Sequence, residues 1–286
     1  MIYKNKKDWE TSTNKRVSLL GMSGLGKTKL SNMLQSTFSW FHYSVDYRIG
    51  TRYLDEHIVD NFKQEAMKNV FLRDLLLSDS IYISSNLNFN NLSPLSTYLG
   101  KPGSEDLGGI DFNLYEKRQK QHREAEILSL MDTNKFIEKS NNIYAYQNFV
   151  CDTSGSICEV VNPEDPNDPL LTHLSKNTLI ILIKGDKKHK DQLIKRFKAN
   201  PKPIYYNENF LNEKWSNFKN INNVDNKNVD PDKFILYCFE DLLDHRIPIY
   251  DSIAKNWGIT INADDISKVK NEKDFINLVS NYLNIL

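Results

Sequence analysis

The sequence predicts an α/β fold in which helices cover both faces of a parallel central sheet. Short apolar runs that predict strands alternate along the chain with segments of helical periodicity. Within the predicted strand at residues 178–184, residues 179–183 are all apolar, as expected for a central strand buried on both faces. A glycine-rich turn at residues 21–28 joins the first predicted strand to the first helix, and we expect the functional site there.

The elements follow from apolar periodicity, read as runs for strands and as a spacing of three or four residues for helices. The predicted strands are residues 16–20, 41–46, 148–152, 178–184 and 259–261. The predicted helices are the segment after residue 28 and residues 54–77, 112–131, 191–198, 234–243 and 274–286.

A length of 286 residues is enough for one large domain, and we expect a single domain over residues 1–286. Residues 1–14 are polar and lysine-rich, which predicts a frayed lead-in. Residues 78–111 look irregular, and residues 207–231 are polar and rich in Asn. Because long segments of this kind in a compact domain are functional lids or disordered, we interpret both as insertions that cap the site or dock a protein partner.

Composition and charge argue against several classes of function. Charged residues make up 26% of the chain and balance to a net charge of zero, so we expect no nucleic-acid partner. The sequence has no apolar run of about 18 residues and no signal-peptide pattern, so we expect no membrane association. Its three cysteines fit neither a zinc pattern nor a full disulfide set, which predicts buried thiols in a reducing cytoplasm.

The glycine-rich turn reads G-x-x-x-x-G-K-T, the phosphate-binding P-loop pattern, in its required context between a strand and a helix. Its backbone N–H groups and the positive end of the next helix favour an anion. We expect Lys27 to bind the β- and γ-phosphates and the Thr28 hydroxyl to ligate Mg²⁺. The predicted nucleotide-binding residues of the turn are Gly21, Ser23, Gly24, Leu25, Gly26, Lys27, Thr28 and Lys29.

With this motif the predicted fold class is that of a P-loop NTPase, with three αβα layers, a parallel central sheet and helical or irregular insertions. The expected nucleotide is ATP with Mg²⁺. No guanine-specifying N-K-x-D motif follows a strand at the expected place, which favours ATP over GTP without deciding between them.

Two carboxylates end predicted strands near the P-loop. Asp46 ends the second strand, where it would orient an acceptor hydroxyl and take its proton as general base. Asp152 ends the third strand, the usual position of a carboxylate that holds Mg²⁺ through water. For both, capping of the next helix or turn stays an open alternative. The predicted catalytic residues are Lys27, Asp46 and Asp152, and the predicted metal ligands are Thr28 and Asp152.

Six separated motifs occur in the order found in one family of kinases. They are the P-loop, Ser44-Val45-Asp46 (D-T-D), Arg123-Glu124-Ala125-Glu126 (F-R-x-x-E), Ser154-Gly155-Ser156 (G-G-G), Leu193-Ile194-Lys195-Arg196-Phe197 with Lys202-Pro203-Ile204 (L-x-x-R-L and R-P-L), and Arg246-Ile247-Pro248-Ile249-Tyr250 (R-x-P-L-Y). The chain thus resembles shikimate kinase and, more broadly, the nucleoside-monophosphate-kinase-like P-loop kinases. It departs from that family at Ser44, where the family has Asp, and at residues 154–156, where one glycine remains.

The resemblance implies a substrate site. Asp46 would hold substrate hydroxyls, and Arg123, oriented by Glu126, would bind a substrate carboxylate. Gly155 and Arg246 would belong to the same site. Because planar guanidinium forks match carboxylate and phosphate geometry, the expected acceptor is a small anionic metabolite, and shikimate is one candidate. The open alternatives are a solvated helix charge for Arg123 and a helix C-terminal cation for Arg246.

The resemblance also implies two further nucleotide contacts. Arg196 would lie against the adenine, and Lys202 would close over the phosphates from a mobile lid. A helical i,i+4 ion pair for Arg196 and a solvated loop position for Lys202 stay open.

Three functions are compatible with these motifs. The first is a cytoplasmic small-molecule kinase that transfers the γ-phosphoryl group of ATP to a hydroxyl of an anionic metabolite. The second is an ATPase or nucleotide-binding regulatory module without a small-molecule acceptor, and the third is a nucleoside or nucleotide kinase. The sequence identifies neither the acceptor nor the oligomeric state.

Overall fold

The computed structural model describes residues 1–283. In chain order the elements are α1 (Lys6–Thr11), β1 (Arg16–Leu20), α2 (Lys27–Gln35), β2 (Trp40–Ser44), α3 (Val45–Arg48), α4 (Asp55–Met67), α5 (Val70–Leu77), α6 (Ser93–Leu99), α7 (Phe112–Met131), α8 (Thr133–Asn142), β3 (Asn148–Asp152), α9 (Pro169–Asn177), β4 (Leu179–Lys184), α10 (Lys187–Ala199), α11 (Glu208–Asn222), α12 (Pro231–Trp257), β5 (Gly258–Asn262), α13 (Ala263–Lys268) and α14 (Glu272–Leu283). Short 3₁₀ turns lie at Glu105–Leu107, Ile157–Glu159 and Asn226–Asn228, and a π-helical turn lies at Ile49–Tyr53.

The five strands form one parallel sheet in the order β2-β3-β1-β4-β5. The central strand β1 pairs with β3 on one side, with Leu19 opposite Asp152, and with β4 on the other, with Leu20 opposite Leu182. After β1 the chain fills one half of the sheet and later the other half, so the strand order reverses at β1. Open α/β sheets bind ligands outside the carboxyl ends of the strands at such a point.

Helices cover both faces of this sheet. Val17 and Leu19 of β1 pack on one face in a buried cluster with Trp9 of α1, Leu34 of α2 and Phe275 of α14. The alternate residues of the strands face the other way, where α8 packs on β2 and β3 and α9 packs on β4. This architecture confirms the predicted fold class, a three-layer αβα fold of the P-loop type with a parallel central sheet.

The chain divides into two compact units. The first contains the sheet and comprises residues 1–45 and 126–200 and the chain from Leu236 onward, and the second comprises residues 46–125 and 201–235. The single domain stays a prediction. Both predicted insertions belong to the second unit.

The second unit has its own aromatic core. The rings of Phe112 and Trp215 stack at 4.4 Å, and Phe234 meets Trp215 edge-on at 4.9 Å. The buried guanidinium of Arg118 donates to the Tyr98 carbonyl oxygen and to Asn61 Oδ1. This unit is therefore packed by its own side chains.

Both segments predicted as insertions contain helices. Residues 78–111 include α6, which buries Leu95 and Leu99, and residues 207–231 include α11, which buries Trp215 and Phe218. The many Asn and Ser residues between these apolar positions obscured the helical spacing in the sequence. Such residues lower helix propensity, but tertiary packing overrides them.

The ends of the chain also differ from the prediction. Residues 1–14 contain α1, whose Trp9 is fully buried and donates from Nε1 to the Ile276 carbonyl oxygen at 2.9 Å. The helix predicted at residues 234–243 continues to Trp257, with Pro248 in its interior. Of the predicted C-terminal helix, residues 284–286 lie outside the described residues.

Two composition-based expectations concern buried thiols and membrane spans. All three cysteines are buried and free, which confirms the prediction of buried thiols. Within residues 1–283, no helix combines the length and the apolar character that a membrane crossing needs.

Candidate functional site

The P-loop connects β1 to α2 at the carboxyl edge of the sheet. Gly21 has a φ of +137°, and a Cβ at this position would lie 2.6 Å from the Ile183 carbonyl oxygen, so only glycine fits. Gly26 is the N-cap of α2 and has no side chain to accept from the first turn. The N–H groups of that turn therefore point at a position that favours an anion.

The P-loop lysine lies inside this turn. Lys27 is buried, and its Nζ donates to the carbonyl oxygens of Gly21 at 2.6 Å and of Met22 at 3.3 Å. Thr28 and Lys29 are exposed on the first turn of α2. The loop thus has the strand–turn–helix context that its motif requires, and nucleotide binding by its residues stays a prediction.

Asp152 lies at the carboxyl end of β3, next to the P-loop strand. It is opposite Leu19 of β1 and Ser44 of β2, and its side chain is almost fully buried. His42 Nε2 lies 3.8 Å from Asp152 Oδ2. The adjacent Thr153 ties the end of β3 to β1, because its Oγ1 donates to the Leu19 carbonyl oxygen at 2.8 Å.

The oxygen groups near the P-loop suit Mg²⁺. The Thr28 hydroxyl and the Asp152 carboxylate are hard oxygen ligands, and Mg²⁺ usually takes only one or two such protein groups together with phosphate oxygens and water. Among residues 1–283, no cluster of three or more His, Cys, Asp or Glu side chains could hold a metal by itself. A metal at this position would therefore need the phosphates of a bound nucleotide.

A cavity of about 520 Å³ extends from the P-loop between α2, α10 and α13. This volume is typical of small-molecule sites. Its apolar lining is Leu25, Leu30, Met33, Leu193, Ala263, Ile266 and Val269. Its polar lining includes Lys29, His189, Gln192, Arg196, Ser267 and Lys270. A nucleobase has apolar faces and polar groups at its edge, so it suits a cavity with this mixed lining.

Arg196 lies in this cavity beside the P-loop. Its Nη1 is 3.6 Å from the point where a Cβ of Gly24 would be. His189, in the first turn of α10, is held by its neighbour Asp186, with Nδ1 at 2.6 Å from Asp186 Oδ1. The His189 backbone and ring bonds also lower the pKa of the Asp186 carboxyl. The location of Arg196 supports its predicted contact with adenine, which stays a prediction.

Residues 153–156, which we name the β3 loop, follow Asp152. The carboxylate of Glu126 is buried and accepts hydrogen bonds from the hydroxyls of Ser154 and of Ser156, the latter at 2.8 Å. The resemblance implied that Glu126 orients Arg123. Instead, Glu126 binds the β3 loop, and Arg123 makes no ion pair or side-chain hydrogen bond with any described residue.

Arg246 is buried in α12 and binds the protein itself. Its Nε donates to Glu159 Oε1 at 2.7 Å, and its Nη1 donates to the Gly155 carbonyl oxygen at 3.0 Å. Burial alone would lower the pKa of the guanidinium, but its interactions with Cys158 and Glu159 outweigh burial and raise this pKa above its ordinary value. Arg246 therefore stays charged, and substrate binding by Arg246 stays a prediction.

The remaining predicted substrate residues belong to the second unit. Asp46 is the second residue of α3, directly after β2, and is half-buried. Arg123 is exposed on α7, where it lines a cavity of about 420 Å³ together with Lys120, Glu124 and Tyr206. The cavity gives Arg123 room for a ligand, and both substrate roles stay predictions.

Lys202 is exposed just before a segment that is fixed to α7. The Tyr115 hydroxyl donates to the Ile204 carbonyl oxygen at 2.9 Å, and the Tyr206 N–H donates to Gln119 Oε1 at 2.8 Å. A mobile lid that carries Lys202 would therefore need its hinge before residue 204, where the contacts with α7 begin. The role of Lys202 at the phosphates stays a prediction.

Comparisons with known proteins leave the family open. No protein-family model and no curated protein matches the sequence. Among solved structures, the chain is similar to a shikimate kinase from Bacteroides thetaiotaomicron, with a TM-score of 0.36 and 11% identity over 94% of this chain and 98% of that chain. A similarity this low carries no argument about activity, so the site is interpreted from its own residues.

Sequence reasoning missed several residues around the site. Glu159 is a single carboxylate between apolar neighbours, and nothing in the sequence indicates that it binds Arg246 and, at 3.2 Å, His245. Val269 and Lys270 follow the last predicted strand, and residues beyond the carboxyl ends of parallel strands commonly line ligand sites. That signal was available in the sequence.

Proposed function

We propose that the protein is a P-loop kinase that binds ATP with Mg²⁺ and transfers the γ-phosphoryl group to a hydroxyl of a small anionic metabolite. The observation that carries this proposal is the continuity of the P-loop with the cavity that contains Arg196. An open cradle of backbone N–H groups and a half-apolar cavity suit the triphosphate and the base of one nucleotide.

Each P-loop residue has a role in this proposal. Gly24, Gly26 and the first turn of α2 hold the β- and γ-phosphates through backbone N–H groups, and Lys27 adds a positive charge. Thr28 and Asp152 would hold Mg²⁺, which would neutralise charge on the phosphate oxygens. In the cavity beside the P-loop, Arg196 flanks the adenine.

The transfer step needs a positioned acceptor and a base. The acceptor hydroxyl oxygen attacks the γ-phosphorus, a P–O bond forms there, and the bond between the γ-phosphorus and the bridging oxygen of ADP breaks. Asp46 takes the hydroxyl proton as general base. Arg123, whose guanidinium is exposed at its cavity, binds the anionic group of the acceptor. Shikimate is one acceptor of this class.

The test measures nucleotide binding and acceptor-dependent turnover on the purified chain. We expect it to bind Mg²⁺-bound ATP, to hydrolyse it slowly alone, and to form ADP faster with a fractionated pool of small anionic metabolites. Lys27→Ala should abolish both binding and turnover, because it removes the charge at the phosphates. In the same assay Arg123→Ala should raise the acceptor KM and leave the ATP Kd unchanged.

Lys176→Ala is the matched control, because Lys176 is an exposed helix lysine outside the site. It should behave as the unsubstituted protein does. Absence of ATP binding, or binding that survives Lys27→Ala, would contradict the proposed nucleotide site.

A second candidate is a nucleotide-binding module whose ATP hydrolysis acts on a protein partner. The observation that favours it is the burial of Arg246, since a predicted substrate ligand is engaged with Glu159 and Gly155. This function predicts ATP hydrolysis that requires Lys27 and that no metabolite fraction accelerates. The same assay therefore separates the two candidates.

A further inference from the structure

The β3 loop packs against the P-loop at Ser23. A Cβ added to Gly155 would lie 2.5 Å from Ser23 Oγ and 3.5 Å from Ser23 N. A side chain at residue 155 would displace the Ser23 hydroxyl, and the Ser23 backbone is already at contact distance. The conformation of the P-loop at Ser23 is therefore coupled to the position of Gly155.

Two hydroxyls of the β3 loop donate hydrogen bonds to Glu126 of α7. Both oxygens of the fully buried Glu126 carboxylate are used, Oε1 by Ser154 and Oε2 by Ser156. Ser154 Oγ also accepts from the Ser156 N–H at 3.3 Å. Hydrogen bonds to a buried carboxylate are about twice as strong as bonds between neutral groups, so these bonds restrain this part of the loop.

The carbonyl of Gly155 is held separately. Arg246 Nη1 donates to it at 3.0 Å while Arg246 Nε is fixed by Glu159, whose side chain is fully buried. His245 Nε2 lies 3.2 Å from the other oxygen of Glu159. Loss of either partner of this buried ion pair would leave a buried charge, which favours keeping Arg246 on the Gly155 carbonyl.

We propose that Glu126 and Glu159 are positioning residues that hold the β3 loop against the P-loop and so fix the amides that bind the nucleotide phosphates. Neither carboxylate contacts the nucleotide in this proposal. Glu126 acts through the two serines, and Glu159 acts through Arg246. The inference rests on the proposed nucleotide site.

The need for such a device follows from the geometry of phosphate binding. Backbone donors bind an anion well only when held within about 0.5 Å of the productive geometry. The P-loop has three residues with positive φ at Gly21, Gly24 and Gly26, and a backbone of this kind is intrinsically flexible. An external support of fixed position removes that freedom before the nucleotide binds.

The experiment separates effects on phosphates from effects on the base. The variants are Gly155→Ala, which displaces the Ser23 hydroxyl, the pair Ser154→Ala with Ser156→Ala, which frees the loop from Glu126, and Glu159→Gln, which removes the charge that holds Arg246. Isothermal titration calorimetry with Mg²⁺-bound adenosine 5′-(β,γ-imido)triphosphate should give about tenfold weaker binding, the effect of losing one charge-assisted hydrogen bond. Adenosine binding, measured by saturation-transfer NMR, should be unchanged.

Glu272→Gln is the matched control. Glu272 accepts hydrogen bonds from Ser39 Oγ and from Trp40 Nε1, both at 2.8 Å, beside the amino end of β2 and therefore away from the P-loop edge. This variant should lower the temperature of unfolding and leave triphosphate affinity unchanged. A structural defect alone would weaken triphosphate and adenosine binding together.

The outcomes distinguish this inference from the proposed function. If the unsubstituted protein binds the triphosphate in a manner that requires Lys27, but the loop variants bind it equally well, the positioning role is wrong and the nucleotide site stands. If the unsubstituted protein binds no triphosphate, both are wrong. If the double serine variant does not fold, Gly155→Ala and Ser156→Thr test the positioning role instead. Ser156→Thr keeps a hydroxyl and should bind the triphosphate normally, whereas Gly155→Ala should weaken binding.

Discussion

Glu159 and Arg246 illustrate how one contact changes the interpretation of a residue. In the sequence, Arg246 is a cation in a motif, and two chemical roles are open. In the structure its guanidinium donates to a buried carboxylate at 2.7 Å. A pair of this kind stabilises little by itself, because desolvation offsets attraction, but removal of one partner costs about 3–5 kcal/mol. Any loss of activity on changing Arg246 must therefore be separated from unfolding.

Cys158 gives a prediction about alkaline pH at the same scale. Burial raises the pKa of its thiol from 9.0 to about 12. Between those values the unfolded chain releases a proton that the folded chain keeps, so stability present below pH 9 falls as pH rises. The expected loss is about 1.4 kcal/mol per pH unit. Urea unfolding followed by circular dichroism at pH 8 and at pH 10 measures it.

The control for this prediction is Cys158→Ala. Because the variant lacks the thiol, its free energy of unfolding should fall less steeply between the two pH values. Equal slopes in both proteins would show that the thiol does not titrate as proposed.

At the scale of elements, α12 breaks a local rule. Pro248 lies in the interior of this helix, where it has no N–H to donate to the Asp244 carbonyl and where its ring crowds that carbonyl. The side chain is exposed, so no core packing requires it. Sequence reasoning ended the helix before this proline. Proteins break such rules mainly where function requires it, and Pro248 is part of the motif that contains Arg246.

We expect Pro248→Ala to stabilise the protein by up to about 3 kcal/mol, because it restores a helical hydrogen bond and removes a steric conflict. The measurement is the midpoint of thermal unfolding. Lys255→Ala, an exposed site on the same helix, should change stability by less than about 0.5 kcal/mol. A lower midpoint for Pro248→Ala would show that the neighbouring packing needs the proline.

At the scale of the whole molecule, the N-terminal segment contributes to the core of the first unit. Trp9 packs with strand residues of the sheet and with Phe275 of α14, and Tyr3 meets its ring edge-on at 5.0 Å. Only the tertiary structure reveals this, because a single Trp in a polar, lysine-rich stretch has no periodic partner in the sequence. Burial of one aromatic side chain here ties together residues from both ends of the chain.

Trp9→Ala should therefore lower the free energy of unfolding by about 3–5 kcal/mol, the usual cost of deleting a buried aromatic side chain. The urea midpoint measures the change. Phe38→Ala is the control, since Phe38 is 85% exposed, and it should have an effect below about 0.5 kcal/mol. If the two variants unfold at the same urea concentration, α1 does not stabilise the core.

The parts of the molecule that sequence reasoning predicted share one property. Strand β4 and the P-loop are specified by residues adjacent in the chain, by apolar runs in one case and by glycines before a lysine in the other. The helices α6 and α11 were missed because their apolar residues are diluted by Asn and Ser, and their partners lie far away in the sequence.

The same division holds at the candidate site. The sequence alone determined the fold class, the P-loop and its strand–turn–helix context, since these depend on local periodicity and on backbone conformations that only glycine adopts. Only the tertiary structure decided that Gly155 lies against Ser23, that Glu126 binds two serines and that Glu159 binds Arg246. Those contacts join residues about 30 to 130 positions apart, and no local pattern encodes which buried charge will meet which partner.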